Sequence, residues 1–280
     1  MYKIEDLINK IHCCDCLDLM REMPDKSVDL TVTSPPYDNL REYKGYTFDF
    51  EGIAKELFRI TKIGGVIVWI VGDATINGSE TATSFKQALY FKEIGFNLHD
   101  TMIWNKKSFR YPETTRYYPC FEYMFVLTNG RPKTVNLIND RKNTYSGDRV
   151  ARKHQVRNPD SNIGENSAFR NEPSRRINPI GVRGNIWEIS VSASEDDKLA
   201  LLHPATFPKK LANDHILSWS NEGDLVLDPF SGSGTTCKMA KINQRNFIGI
   251  DVSQEYCDIA EKRLEKVNNH KITDFFGVQE

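Results

Sequence analysis

Apolar residues recur along this chain in two rhythms that alternate. VDLTV (residues 28–32) and GGVIVWIV (Gly64–Val71) are short, continuous apolar runs rich in β-branched side chains, as expected of strands buried on both faces of a parallel sheet. Between them, FEGIAKELFRITK carries apolar residues at Ile53, Leu57, Phe58 and Ile60, the spacing of an amphipathic helix. SFKQALYFKEIG predicts a second helix, stopped by Gly95. LHDTMIWN and FEYMFVLTNG read as further strands, an antiparallel pair at one edge of the sheet. After Arg131 both rhythms fail for about fifty residues and return near Ile186. PKKLANDHILSWS is then a helix with proline near its start, GDLVLDPF a strand, TTCKMAKINQ a helix, NFIGIDV a strand and QEYCDIAEKRLEKV a helix. Alternating units of this kind predict an α/β fold: a doubly wound, mostly parallel Rossmann-like sheet with helices on both faces. The chain divides into 1–130, an irregular insertion at 131–185, and 186–280.

With 280 residues, 39% hydrophobic and 27% charged, the chain is sized for one large domain carrying an insertion. The opening MYKIEDLINK is charged, and no apolar run approaches the length of a membrane span, which predicts a cytoplasmic protein with no membrane partner. Six cysteines are spread too irregularly for a disulfide framework and are expected as free thiols. HCCDC (His12–Cys16) raises a zinc site, but four ligands usually come as two spaced pairs and no second pair follows. It reads instead as a strand end whose cysteines pack as small apolar residues. The net charge of −1 conceals an asymmetry: from Arg131 to Arg183 twelve Lys/Arg face five acids, a surplus of seven positive charges on a body of net −8. Such a segment, rich also in Asn and Ser, suits phosphate contact and base reading. Charge alone leaves a solvated loop equally open.

Two loops carry candidate chemistry. In TSPPY (residues 33–37) the prolines cannot join a sheet ladder, so they stiffen the chain beyond the strand end. Ser34 Oγ and the Pro35 carbonyl become acceptors in a fixed geometry beside the flat face of Tyr37, suited to something planar bearing N–H groups. LVLDPFSGSGTT (Leu225–Thr236) is a strand, an acid, a glycine turn and a helix start. Gly232 and Gly234 permit a tight bend against a ligand, and Thr235 or Thr236 is expected to cap the helix. A dinucleotide fingerprint places a third glycine where Cys237 stands, which argues against NAD. Asp228 suits a cationic amino group, and Asp251, closing FIGID, suits the hydroxyls of a ribose. An amino acid at one end and a nucleoside at the other imply S-adenosylmethionine.

TSPPY together with DPFSGSGTT resembles the DNA amino-methyltransferases, whose signatures are of the (S/D/N)-P-P-(Y/F) and F-x-G-x-G types. The first motif precedes the second by nearly two hundred residues, similar to the family's circularly permuted β class. The likeness runs from HCCDCLDLM through DTMIWNK and HPATFP to GIDVSQEYCDIAEKRL. It implies a permuted S-adenosylmethionine methyltransferase sheet with its catalytic half in 1–130, a target-recognition insertion in 131–185 and its cofactor half in 186–280. Phe230, Gly232 and Gly234, with Pro229 and Thr235, would surround the methionine moiety and Asp228 its amino group. Asp251 would hold the ribose, Asp15 with Cys16 the adenine end, and backbone at Thr206 and Phe207 would cover the methionine end. His203 is read as structural.

The implied catalytic set is Ser34, Pro35, Pro36 and Tyr37. Acceptors at Ser34 Oγ and the Pro35 carbonyl would draw an exocyclic amino lone pair out of conjugation toward the sulfonium methyl. Tyr37 would stack on a base flipped from the duplex. YPCF (118–121) mimics the Pro-Cys loop of C5-cytosine enzymes but precedes the glycine loop, the reverse of their order. Ser34 resembles the N4-cytosine members, so cytosine N4 is favoured, with adenine N6 the alternative. An amino-methyltransferase of RNA or protein and a non-catalytic DNA-binding protein are the competing classes, and the basic insertion favours double-stranded DNA. A second copy of the chain and a cognate restriction enzyme are the other candidate partners.

Overall fold

In chain order, Ile4–Leu7 form α1, Lys10–Cys13 β1, Cys16–Glu22 α2, Val28–Thr33 β2, Phe50–Ile60 α3 and Thr61–Val71 β3. A hairpin of β4 (Thr75–Ile76) and β5 (Ser79–Glu80) leads to α4 (Thr83–Glu93), β6 (Asn97–Asn105) and β7 (Phe121–Thr128). Short strands follow: β8 (Asn139–Lys142), β9 (Arg149–Val150), β10 (Lys153–Gln155), β11 (Phe169–Asn171), β12 (Arg175–Arg176) and β13 (Ile180–Val182). The chain closes with β14 (Ile186–Glu188), α5 (Lys209–Trp219), β15 (Leu225–Asp228), α6 (Thr235–Ile242), β16 (Asn246–Asp251) and α7 (Gln254–Glu265). This computed structural model describes residues 2–36, 48–107, 114–144, 149–150, 153–155, 169–171, 175–191 and 208–267. Tyr37, Thr206 and Phe207 lie outside the described residues.

Eight strands form one sheet in the order β1-β16-β15-β2-β3-β7-β6-β14. All neighbours are parallel except β7, which runs antiparallel to both β3 and β6. From β2 the chain winds outward through α3 to β3, and from β15 it winds the opposite way through α6 to β16. The order therefore reverses between β2 and β15, and the loops after these strands open at that switch point. The helices fall into two groups, α2 packing with α3 and α3 with α4, and α5 packing with α6 and α6 with α7. The expected α/β, doubly wound, mostly parallel sheet is thus observed.

The apolar runs do what their pattern predicts. Residues 66–71 of β3 are all buried, with Trp69 fully so and its Nε1 donating to Gln87 Oε1 at 2.8 Å. On α3, Ile53, Ala54, Leu57 and Ile60 face the core, and Asp49 caps the first turn by accepting from Gly52 N at 3.0 Å. Gly95 ends α4 at φ +117°, where a Cβ would strike the Phe58 ring at 2.8 Å.

Two expectations are corrected. The β6–β7 pair is not the sheet edge, because β14 adds outside β6 in parallel, held by Trp104 Nε1 donating to the Ile189 carbonyl at 2.7 Å and by Trp187 stacking on His215. The cysteines of HCCDC do not share one packing role: Cys16 is buried, Cys14 half-buried and Cys13 exposed, since β1 is an edge strand that stops at Cys13. Among the described residues no cluster of His, Cys, Asp and Glu is arranged to hold a metal. Nor is any described helix long and apolar enough to cross a membrane.

The chain divides into two compact units, Met1–Asn136 with Asn185–Glu280, and Leu137–Gly184. Residues just past Arg131 belong to the larger unit, where Lys133 N donates to the Gly64 carbonyl and Asn136 N to the Ser218 carbonyl. The smaller unit is built of antiparallel pairs, β8 with β13, β9 with β12 and β10 with β11. One cation of its basic surplus is used internally, Arg183 bonding both carboxylate oxygens of Asp140.

Candidate active site

The seam between β2 and β15 joins the two loops. Leu227 pairs with Thr31, so Asp228 and Thr33 end neighbouring strands at the same edge of the sheet. Thr33 Oγ1 donates to Asp228 Oδ1 at 2.7 Å, both residues buried although 195 positions apart. Thr236 Oγ1 donates to the Val32 carbonyl at 3.1 Å. Ser34, half-buried, Pro35, buried, and Pro36, half-buried, follow directly. The S-P-P loop is thus fastened to the glycine loop through the two residues that precede it.

The glycine loop is held from three sides. Ser231 N donates to the Ile250 carbonyl at 2.8 Å and Gly232 N to Asp251 Oδ2 at 3.0 Å, both on β16. Gly232 and Gly234 take φ of +48° and +76°, which disfavour a side chain at both, and at Gly234 a Cβ would also meet Ala260 Cβ of α7 at 2.7 Å. Beneath the loop, buried Arg263 of α7 donates to the Ser233 carbonyl, to Ser233 Oγ at 3.0 Å and to Thr235 Oγ1 at 3.3 Å. Phe230 packs edge-on against Phe48, centroids 5.7 Å apart, and against Trp69. The expectation that Thr235 or Thr236 caps α6 is corrected: Gly234 is the N-cap, and both threonine hydroxyls turn to Arg263 and β2 instead.

Asp228 is 1% exposed. Burial pushes its carboxyl up to about 6; hydrogen bonds from Thr33, Thr236 and the Phe230 amide pull the other way, and nearby Asp251 adds to the rise. Among the described residues no Lys or Arg pairs with it. A buried carboxyl that has hydroxyl and amide donors but no cation is matched to a ligand that brings its own positive charge. The hydroxyl of buried Ser231 in the same loop also has no partner among the described residues. These features fit a cationic amino acid moiety.

Asp251 is also held above the ordinary carboxylate range by burial. Its oxygens accept from Gly232 N at 3.0 Å and from Ser253 N at 2.8 Å, and the Val252 amide also bonds the carboxylate, which leaves acceptor capacity for a ligand hydroxyl. Cys14 N donates to the Asp251 carbonyl at 3.1 Å, which brings the turn after β1 alongside. There Asp15 caps α2, its Oδ1 accepting from Leu17 N at 2.7 Å, and Cys16 begins the helix, buried. The structure therefore gathers Ser34, Pro35, Pro36, Asp15, Cys16, Asp228, Pro229, Phe230, Gly232, Gly234, Thr235 and Asp251 at one edge of the sheet.

Sequence reading missed the roles of Thr33 and Arg263, and it gave Thr236 only a capping role. Thr33 stood inside the quoted motif, but its partner is a strand distant in sequence. Arg263 lies in a segment read only as a helix, and nothing local to it marks the loop it supports.

The DNA methylase family matches residues 28–262. Over 243 residues the chain is 56% identical to the orphan methyltransferase M.BamHII of Bacillus amyloliquefaciens, covering 86% of this chain and 90% of that protein. Its fold is similar to that of the PvuII DNA methyltransferase, described as cytosine-N4-specific, with a TM-score of 0.66 and 21% identity over 92% of this chain and 89% of the other. It is similar also to TTHA0409 of Thermus thermophilus complexed with S-adenosyl-L-methionine, with a TM-score of 0.59 and 24% identity over 92% and 95% of the two chains. With a family match spanning most of its length and a relative identical at more than half of the aligned positions, this chain belongs to the DNA methylase family.

Proposed function

We propose that this DNA methyltransferase, whose methyl donor is S-adenosylmethionine, modifies N4 of cytosine in double-stranded DNA. The observation that carries the reading is the Thr33–Asp228 contact, which sets the S-P-P loop against the loop suited to a cationic amino acid moiety. Serine at the first motif position, and similarity to an enzyme described as cytosine-N4-specific, support cytosine over adenine N6.

When bound, S-adenosylmethionine supplies an electrophilic sulfonium methyl group. Asp228 receives the donor's amino group, and Phe230 and the backbone of Gly232 and Gly234 enclose its methionine part. Asp251 orients the ribose, and Asp15 with Cys16 the adenine. Ser34 Oγ and the Pro35 carbonyl accept from the two amino N–H groups of the target base, favouring the pyramidal nitrogen that attacks. The family resemblance assigns stacking on the flipped base to Tyr37 and backbone cover of the donor to Thr206 and Phe207, which lie outside the described residues. Pro36 keeps the catalytic loop extended.

Nucleoside mass spectrometry of DNA incubated with the protein and S-adenosylmethionine is expected to give N4-methylcytosine. N6-methyladenine would replace cytosine with adenine as the target, and unmodified DNA alongside modified RNA or protein would overturn the DNA assignment.

The insertion at 131–185 supplies target recognition. Reversing charge at Arg175 and Arg176 is expected to weaken DNA binding and to lower the slope of log affinity against log salt by about two. Unchanged affinity in a salt titration removes these residues from the DNA surface. Action in the cytoplasm and assembly with a second copy of the chain complete the proposal. M.BamHII is named an orphan methyltransferase, which favours activity on DNA without a cognate restriction enzyme, although that partner remains a candidate.

A further inference from the structure

Two hydroxyls occupy the seam between the loops. Thr33 and Thr236 are both fully buried, one donating to the Asp228 carboxyl at 2.7 Å and the other to the Val32 carbonyl at 3.1 Å. Thr236 lies close enough to influence the same carboxyl as well, its single proton being shared with the Val32 carbonyl. Neither bond is required to join the strands, which are already paired through Val226 with Leu30 and Leu227 with Thr31. Valine has the same shape as threonine, so what the hydroxyl adds at Thr33 is a proton directed at a carboxylate in a dry site. Val32 and Thr33 are also the two residues that deliver the backbone to Ser34.

We propose that Thr33 is a positioning residue: its hydroxyl aligns the Asp228 carboxyl for the amino group of the methyl donor, and the same bond pins the strand end that presents Ser34. The inference rests on the methyl-donor reading of the D-P-F-S-G-S-G loop. Burial opposes the ionised form of Asp228, and the Thr33 bond is the first influence that counters it. The charged and titratable groups around the carboxyl are Asp251 from β16 and Cys237 from α6, and Cys237 in turn feels Arg263 of α7. Asp29, the charged residue of β2, lies at that strand's other end, paired with Lys62 at 2.7 Å. Without the Thr33 hydroxyl the carboxyl is therefore expected to titrate higher, by about one pH unit.

Calorimetric titration of the full chain with S-adenosylmethionine between roughly pH 5.5 and 8.5 tests this, using the wild type, Thr33→Val and Thr33→Ser. Wild-type affinity is expected to fall below about pH 6. Thr33→Val should move that acid limb up by about one pH unit, leaving affinity about fivefold weaker near pH 6 and within about twofold near pH 8.5. At saturating donor near pH 8.5, Thr33→Val should also transfer methyl about tenfold more slowly in a single turnover. Thr33→Ser should restore both. An unmoved acid limb in Thr33→Val overturns the proposal while leaving the donor site intact, as does Thr33→Ser behaving like Thr33→Val. A wild type that binds no S-adenosylmethionine overturns the donor reading itself. Should Thr33→Val not fold, Thr33→Ala removes the same hydroxyl and is expected to move the limb in the same direction, and no shift there is equally fatal.

Discussion

Ser34→Ala is expected to bind S-adenosylmethionine normally and to lose methyl transfer by roughly a hundredfold or more, the scale of removing one aligned polar group from a transition state. The physical reason lies in the nucleophile. An exocyclic amine shares its lone pair with the ring, so attack requires nitrogen to rehybridise, and an acceptor helps only as that change occurs. The loss should therefore fall on kcat, with KM for the donor unchanged. Ser34 is placed for this by the buried end of β2, where Val32 and Thr33 are tied to Thr236 and Asp228. Rapid-quench methylation assays with calorimetry on the same variant separate the two effects. Equal loss of donor binding and of catalysis would mean that Ser34 belongs to the cofactor site.

Asp228→Asn should do the reverse. Losing the charge opposite the donor's amino group is expected to weaken S-adenosylmethionine roughly 10- to 100-fold near pH 8 and to flatten the pH dependence of binding. In the protein without donor the effect has the opposite sign. Burial pushes the folded carboxyl up to about 6 from its ordinary value of 3.8, so folding favours the protonated form. That contribution is complete below about pH 4 and is lost as pH rises through about 6, leaving ionised Asp228 a cost of about 3 kcal/mol at neutral pH. Asp228→Asn is thus expected to melt higher than the wild type near pH 8 when no donor is present, and to gain less from added donor. A carboxyl that sacrifices stability for binding is what a ligand site requires. Thermal unfolding near pH 5 and pH 8, with and without S-adenosylmethionine, reads both signs. Wild-type affinity in the variant would remove Asp228 from the donor site.

The S-P-P loop and the glycine loop were legible as motifs because each is contiguous and its residue types state local requirements: prolines beyond a ladder, glycines at positive φ, acids at strand ends. The strands and helices were legible for the same reason, since burial on one or two faces imposes a period that neighbouring residues display. The alternation around Ile53 and Leu57, and the unbroken run ending at Val71, needed no partner to be recognised.

Partner choice is not written in a local period. That β14 docks outside β6, that Gly234 rather than a threonine caps α6, and that Arg263 is buried beneath the glycine loop all depend on which elements become neighbours once the sheet order is set. The sequence by itself determined the element types, the α/β class, the two motif loops and the family they resemble. Only the tertiary structure decided that Thr33 and Asp228 touch across 195 residues, because that bond exists only where β2 and β15 lie side by side at the switch point, and the order of strands in a sheet follows from contacts between segments distant in sequence.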